Sequence, residues 1–71
     1  MEMQPVDSSN LAAAGYNSNS QILRIQFNDG SLYEYSGVPE HVYNGLLSAS
    51  SKGRYFDQHV KKAGYPYTKI G

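Results

Sequence analysis

From Ile22 to Phe27 the chain places Leu23, Ile25 and Phe27 on one side of an extended backbone and Ile22, Arg24 and Gln26 on the other. That period of two is the signature of a half-buried strand. Asn28-Asp29-Gly30 follows as a turn, and Ser31 to Tyr35 returns as a second alternating run. The length of the turn decides which side chains meet. A two-residue Asp29-Gly30 turn pairs Ile25 with Glu34 and brings a carboxylate onto the apolar face. A three-residue loop, with Gly30 left-handed in a bulge, pairs Phe27 with Ser31, Ile25 with Tyr33 and Leu23 with Tyr35. Arg24 then stands opposite Glu34 on the other face, where opposite charges attract. The three-residue loop is therefore expected. It sets Tyr33 and Tyr35 beside Leu23, Ile25 and Phe27, on the face that helices cover, so the tyrosine pair reads as structural first.

Upstream, Leu11 to Tyr16 reads as a weaker strand, because alanine is a poor strand former. Asn17 to Ser20 is a turn cluster. Residues 1–6 read as a disordered leader and residues 7–71 as a single domain. Downstream, Val38-Pro39-Glu40 is a helix start with proline at the first helical position and an acid in the first turn. Val42, Tyr43, Leu46 and Leu47 recur at helical spacing to about Ser48. Ser50-Ser51 offers a cap for a second helix from Lys52 to Lys62, whose apolar stripe is Tyr55, Phe56, His59, Val60 and Ala63. Gly64 is a left-handed stop and Pro66 prevents continuation. The tail from Tyr65 to Ile70 is extended, placed either as a short C-terminal edge strand or across the helices. The predicted fold is α+β: a small antiparallel three-stranded meander followed by two helices packed on one face.

Composition narrows the function classes. A chain of 71 residues hides roughly 60% of its unfolded surface on folding. It has little room for both a core and a deep, dry active site. There is no cysteine, so neither a disulfide nor a thiolate metal site holds it together, and a reducing cytoplasmic setting is expected. The apolar run Leu11-Ala12-Ala13-Ala14 is far too short to span a membrane. Formal net charge is zero, yet the charges are segregated. Residues 1–40 hold five acids and one base; residues 41–71 hold five bases and one acid, about −4 against +4.

Candidate chemistry follows from that asymmetry. His41 and His59 lie on different helices, and no ligand cluster points to a metal. No nucleophile, base and orienting group stand at a productive spacing, so no catalytic residue and no cofactor are assigned. Lys52-Gly53-Arg54 at a helix entrance combines free N–H groups with two cations, which suits a phosphate as well as an ordinary solvated helix end. Single-stranded nucleic-acid binders stack bases on aromatic faces beside a basic track. Lys52, Arg54, Tyr55, Lys61, Lys62, Tyr65, Tyr67 and Lys69 interleave cations and rings in that manner. The competing reading is that a small domain uses tyrosine to seal the edge of its core.

The ordered set Ser8-Ser9-Asn10-Leu11, Gly15-Tyr16, Leu23-x-Ile25-x-Phe27, Gly30, Tyr33-x-Tyr35, Val38-Pro39, Val42-Tyr43, Ser51 to Phe56 and Tyr65-x-Tyr67 resembles the KTSC domain, the lysyl-tRNA synthetase C-terminal domain. The resemblance runs from about Asp7 to Ile70. It implies a domain of this size with a central Tyr-x-Tyr, here Tyr33 and Tyr35, found as free-standing bacterial proteins and appended to some lysyl-tRNA synthetases. RNA binding has been suggested for the family from the synthetase context, and RNA, as tRNA or a single strand, is the partner expected for this chain. Leu11 and Ala14 stand where larger β-branched residues are typical of the family. Two functions are therefore carried forward. One is an RNA-binding module using the basic, tyrosine-rich C-terminal half. The other is a protein-interaction module or homodimer using an edge strand or the open sheet face at Ile22, Gln26 and Leu32.

Overall fold

The Ile22–Phe27 alternation is realised as the middle strand of a five-stranded antiparallel sheet. The computed structural model describes residues 1–71. Its strands are β1 (Met3–Pro5), β2 (Leu11–Asn17), β3 (Ile22–Phe27), β4 (Leu32–Tyr35) and β5 (Tyr67–Lys69), in spatial order β1-β2-β3-β4-β5. Between β4 and β5 run α1 (Glu40–Ser48) and α2 (Lys52–Phe56), the latter continuing as a π-helical turn over Asp57–Lys61. The α+β class is as expected. The strand count is corrected: the meander has four strands, and the C-terminal strand is a fifth. The reading of residues 1–6 as a leader does not anticipate β1, which pairs Met3 with Gly15, Gln4 with Ala14 and Pro5 with Ala13. Three residues are too few to show a period. The approach also depends on Gly15, since a Cβ there would lie 2.7 Å from the Met3 sulfur.

The β3–β4 register is the expected one. Leu23 faces Tyr35, Arg24 faces Glu34 and Ile25 faces Tyr33. Gly30 has φ +91°, its N–H donates to Phe27 O at 2.9 Å, and the Phe27 N–H donates to Ser31 O at 2.9 Å. Arg24 reaches one oxygen of Glu34 with Nε at 2.9 Å and Nη2 at 2.5 Å. In β2 a bulge between Leu11 and Ala13 brings both Leu11 and Ala14 onto the core face. The core joins Leu11, Ala14, Leu23 and Ile25 of the sheet to Val42 and Leu46 of α1 and Phe56 and Val60 of the second helical stretch.

Both helices differ in detail from expectation. Pro39 caps α1 at φ −65°, ψ 152° and lies one position before the helix. Its ring fits the extended backbone there as well as it fits a first turn. The second helix is not α-helical throughout: the Lys62 N–H donates to Asp57 O at 3.0 Å, five residues back. His59, placed in the apolar stripe by spacing, is exposed and lies tilted against Tyr55 with centroids 4.4 Å apart. The widened turn rotates residues away from the ideal stripe. Tyr55 lies against Gly45 of α1, where any added Cβ would meet the phenol oxygen and ring. Tyr16 donates to Val38 O at 2.5 Å and stacks on Tyr43 at 5.2 Å, tying β2 to the entrance of α1. Gly64, at φ +84°, ends the helical segment, and Ser36 N–H donating to Pro66 O at 2.9 Å returns the tail to β4.

Two substitutions separate backbone from packing. Gly30→Ala meets nothing with its new Cβ, so its cost is the left-handed backbone alone, about 1 kcal/mol. Gly45→Ala gains up to about 1 kcal/mol of helix propensity but overpacks against Tyr55, a cost of about 1–3 kcal/mol. Urea unfolding is expected to show both variants destabilised, and Tyr55→Ala is expected to reverse the sign for Gly45→Ala only.

Burial raises the phenol pKa of Tyr16, Tyr35 and Tyr43 above its ordinary value near 10, with smaller contributions from Glu40 at Tyr16, from Tyr33 and Tyr67 at Tyr35, and from Glu2 at Tyr43. The folded state thus holds these protons more tightly than the unfolded chain. Their stabilisation is complete below the unfolded value and is lost as pH rises through the folded values. The urea midpoint is expected to fall above about pH 10, and Tyr35→Phe is expected to flatten that fall relative to wild type.

Candidate functional site

Alternation along β4 puts Tyr33 and Tyr35 on the helix side of the sheet. The β4–β5 register sets Tyr67 opposite Tyr35 and Lys69 opposite Tyr33, on that same side. Phe27 arrives from the end of β3 and Phe56 from α2. The five rings form one cluster. Tyr35 meets Phe56 edge-on at 5.4 Å, Phe27 meets Tyr33 at 5.5 Å and Phe56 at 5.6 Å, and Tyr67 lies 5.5 Å from Tyr35 and 5.9 Å from Tyr33. Offset and edge-on contacts of this kind add to simple area burial.

The cluster grades from core to surface. Phe56 is 3% exposed, Tyr35 6% and Tyr67 64%, with Tyr33 and Phe27 half-buried between. β5 is exposed along its length, and the outer rings line a cleft of about 580 Å³, a volume typical of ligand sites. Asn10, Asn28, Asp29, Ser31, Asp57 and Lys61 complete its walls. Asp29 is held in place by Ser31, whose N–H and Oγ–H donate to the Asp29 Oδ1 at 2.9 and 2.6 Å. Those bonds, with a smaller contribution from Lys69, hold its carboxyl below the usual range.

A second depression adjoins the first. It is lined by Asp7, Ser8, Ser9, Asn10, Ser50, Ser51, Lys52, Gly53 and Arg54, with no apolar residue. Asn10 borders both. Its amide packs against Gly53, where a side chain would strike it, and it accepts from Ser8 Oγ–H at 2.9 Å.

The sequence-derived candidates therefore divide. Tyr67 and Lys61 line the aromatic cleft. Lys52 and Arg54 line the polar depression, with Arg54 exposed and Lys52 Nζ donating to Ala49 O at 2.9 Å. Lys62 pairs with Asp57 at 3.4 Å. Lys69 extends beside Tyr33 on β5. Tyr55 and Tyr65 pack against the core. Tyr33 and Tyr35 serve both purposes, since they pack against core rings and also line the cleft. Phe27, Phe56, Asn10 and Asp29 join the site without having been singled out. The turn chemistry of Asp29 was visible beside Tyr33, whereas Asn10 and Phe56 arrive through tertiary contacts alone.

The opposite sheet face carries the Arg24–Glu34 pair at its centre. Leu32 there is bracketed by the C-terminus: its N–H donates to Gly71 O at 2.9 Å, and the Ile70 N–H donates to Leu32 O at 2.8 Å. Ile22 and Gln26 are half-buried. No group of three or more His, Asp or Glu side chains gathers as a metal site, and no helix is long and apolar enough to cross a membrane.

Comparison with known proteins agrees with this architecture. An uncharacterised protein of Stutzerimonas stutzeri is 41% identical over 70 residues, covering 99% of both chains. A crystal structure of a KTSC domain protein from Yersinia pestis superposes with a TM-score of 0.92 at 41% identity, covering 99% of this chain and 97% of that one. A lysine–tRNA ligase of Nostoc punctiforme is 44% identical over 46 residues, which are 65% of this chain and 8% of the ligase. The model of the KTSC domain matches residues 7–65. With that match spanning most of its length, the chain belongs to the KTSC domain family.

Proposed function

We propose that the domain binds single-stranded RNA, stacking a base in the aromatic cleft and passing the backbone across Asn10 toward Arg54. The observation that carries this reading is the junction of five rings with a wholly polar, cation-bearing depression at one residue, Asn10. Each half supplies what the other lacks. Aromatic faces hold bases at about 1–3 kcal/mol each and tolerate any sequence. Cations hold phosphates but carry no orientation. Tyr67, the most exposed of the five rings, presents a face on which a base can stack. The similarity of part of this chain to a segment of lysine–tRNA ligases supports an RNA ligand over other aromatic ones. With a net charge of zero, non-specific attraction of a polyanion is weak, and the reading gives stacking a large share of the affinity.

Fluorescence anisotropy with a labelled single-stranded RNA hexamer at low salt checks this. Tyr67→Ala is expected to weaken binding by about 1–3 kcal/mol while leaving the fold intact. Arg54→Ala is expected to reduce the salt slope by about 0.7, one phosphate's worth for a single strand. No detectable complex at low salt, or a Tyr67→Ala variant that binds as wild type, removes the reading.

A further inference from the structure

We propose that the aromatic cleft selects guanine, with the Asp29 carboxylate accepting hydrogen bonds from the base's N1–H and N2–H. This inference rests on the RNA-binding reading and names what that site recognises. Asp29 and Asp57 line the cleft with Lys61, and Lys69 acts on Asp29 from β5. A carboxylate beside a stacking surface favours a base edge that donates hydrogen bonds, since an ionised carboxylate only accepts.

The two acids are not equivalent. Asp57 is paired with Lys62 at 3.4 Å. Asp29 has its Oδ1 engaged by the Ser31 N–H and Oγ–H, which fixes the carboxylate plane and leaves Oδ2 as the acceptor on which two adjacent donors of a ligand would converge. Of the four RNA bases, guanine alone places two donors side by side on its pairing edge with no acceptor between or beyond them on that side. Adenine and cytosine set a ring-nitrogen acceptor next to their amino group. Uracil flanks its single N–H with two carbonyl oxygens. Each of those three brings a lone pair toward Asp29 on docking. On the pairing edge guanine's acceptor is O6, which falls beside N1, and Lys61 supplies a donor in the same cleft. The Asn28 amide is less free for that role, because it donates to Ser8 O at 3.3 Å.

The experiment compares RNA hexamers that are all uridine except for one central position, which is guanine, adenine, cytosine or uridine. Anisotropy at low salt is expected to show the guanine hexamer bound about tenfold tighter than hexauridine, the discrimination that a two-bond base contact provides. Asp29→Asn keeps an oxygen for Ser31 and is expected to bring the guanine hexamer down to the affinity of the others, with an unchanged amide NMR spectrum away from the turn. Wild-type affinities that do not depend on the central base overturn the inference, as does a central adenine or cytosine that binds as tightly as guanine. A preference that survives Asp29→Asn also overturns it. Each of those results leaves RNA binding itself standing. Failure of all four hexamers to bind removes the proposed function, and this inference with it.

Discussion

The pairing of β3 with β4 is set by the Asn28-Asp29-Gly30 loop, and the other contacts are built on that setting. A slip of one residue would send every side chain of one strand to the opposite face. Tyr33 and Tyr35 would leave Ile25 and Leu23 for the open side, and Glu34 would be driven among apolar side chains. Two local features resist the slip. Gly30 supplies the left-handed backbone at φ +91° that a bulged three-residue loop needs. The Arg24–Glu34 pair on the far face is satisfied only in the observed register. A half-exposed ion pair adds little stability; its value here is to mark which pairing is correct.

From that register the rings follow in sequence. Tyr35 is carried under α2 to Phe56, Tyr33 stands between Phe27 and Tyr67, and β5 continues the row outward. Core and candidate site are thus one cluster that changes character along its length, dry at Phe56 and open at Tyr67. The aromatic cleft is not a separate pocket but the exposed margin of the core itself. The arrangement explains why so many of the aromatic residues are tyrosines. A phenol can pack its ring while its hydroxyl stays wet or finds a carbonyl, as Tyr16 does at Val38.

Most of the central hairpin was legible in the sequence because alternation, turn residues and charge pairing all favoured one register. Both helices were visible at their starts, though Pro39 lies one position outside α1 and the turn at Asp57–Lys61 widens without any local signal. The outer strands were less legible for different reasons. In β2 the bulge at Ala12 breaks the period, so Leu11 and Ala14 both face inward and no alternation survives to be read. In β1 three residues hold their place by packing on Gly15, a contact that exists only in three dimensions. The candidate site was half visible. Tyr67, Lys61 and Arg54 could be named from composition, but the roles of Tyr55 and Tyr65 were decided by packing against the core. Asn10 becomes the junction only once β2 lies beside the entrance of α2.

Ligand is expected to meet the helix-side face of the sheet, where the rings lie. Amide and aromatic chemical shifts recorded while single-stranded RNA is titrated into the labelled domain test that directly. The expected result is one contiguous set of changes at Asn10, Phe27, Asp29, Tyr33 and Tyr67, fading toward Arg54. Changes centred instead on Ile22, Gln26 and Leu32, across the sheet from the rings, would contradict it.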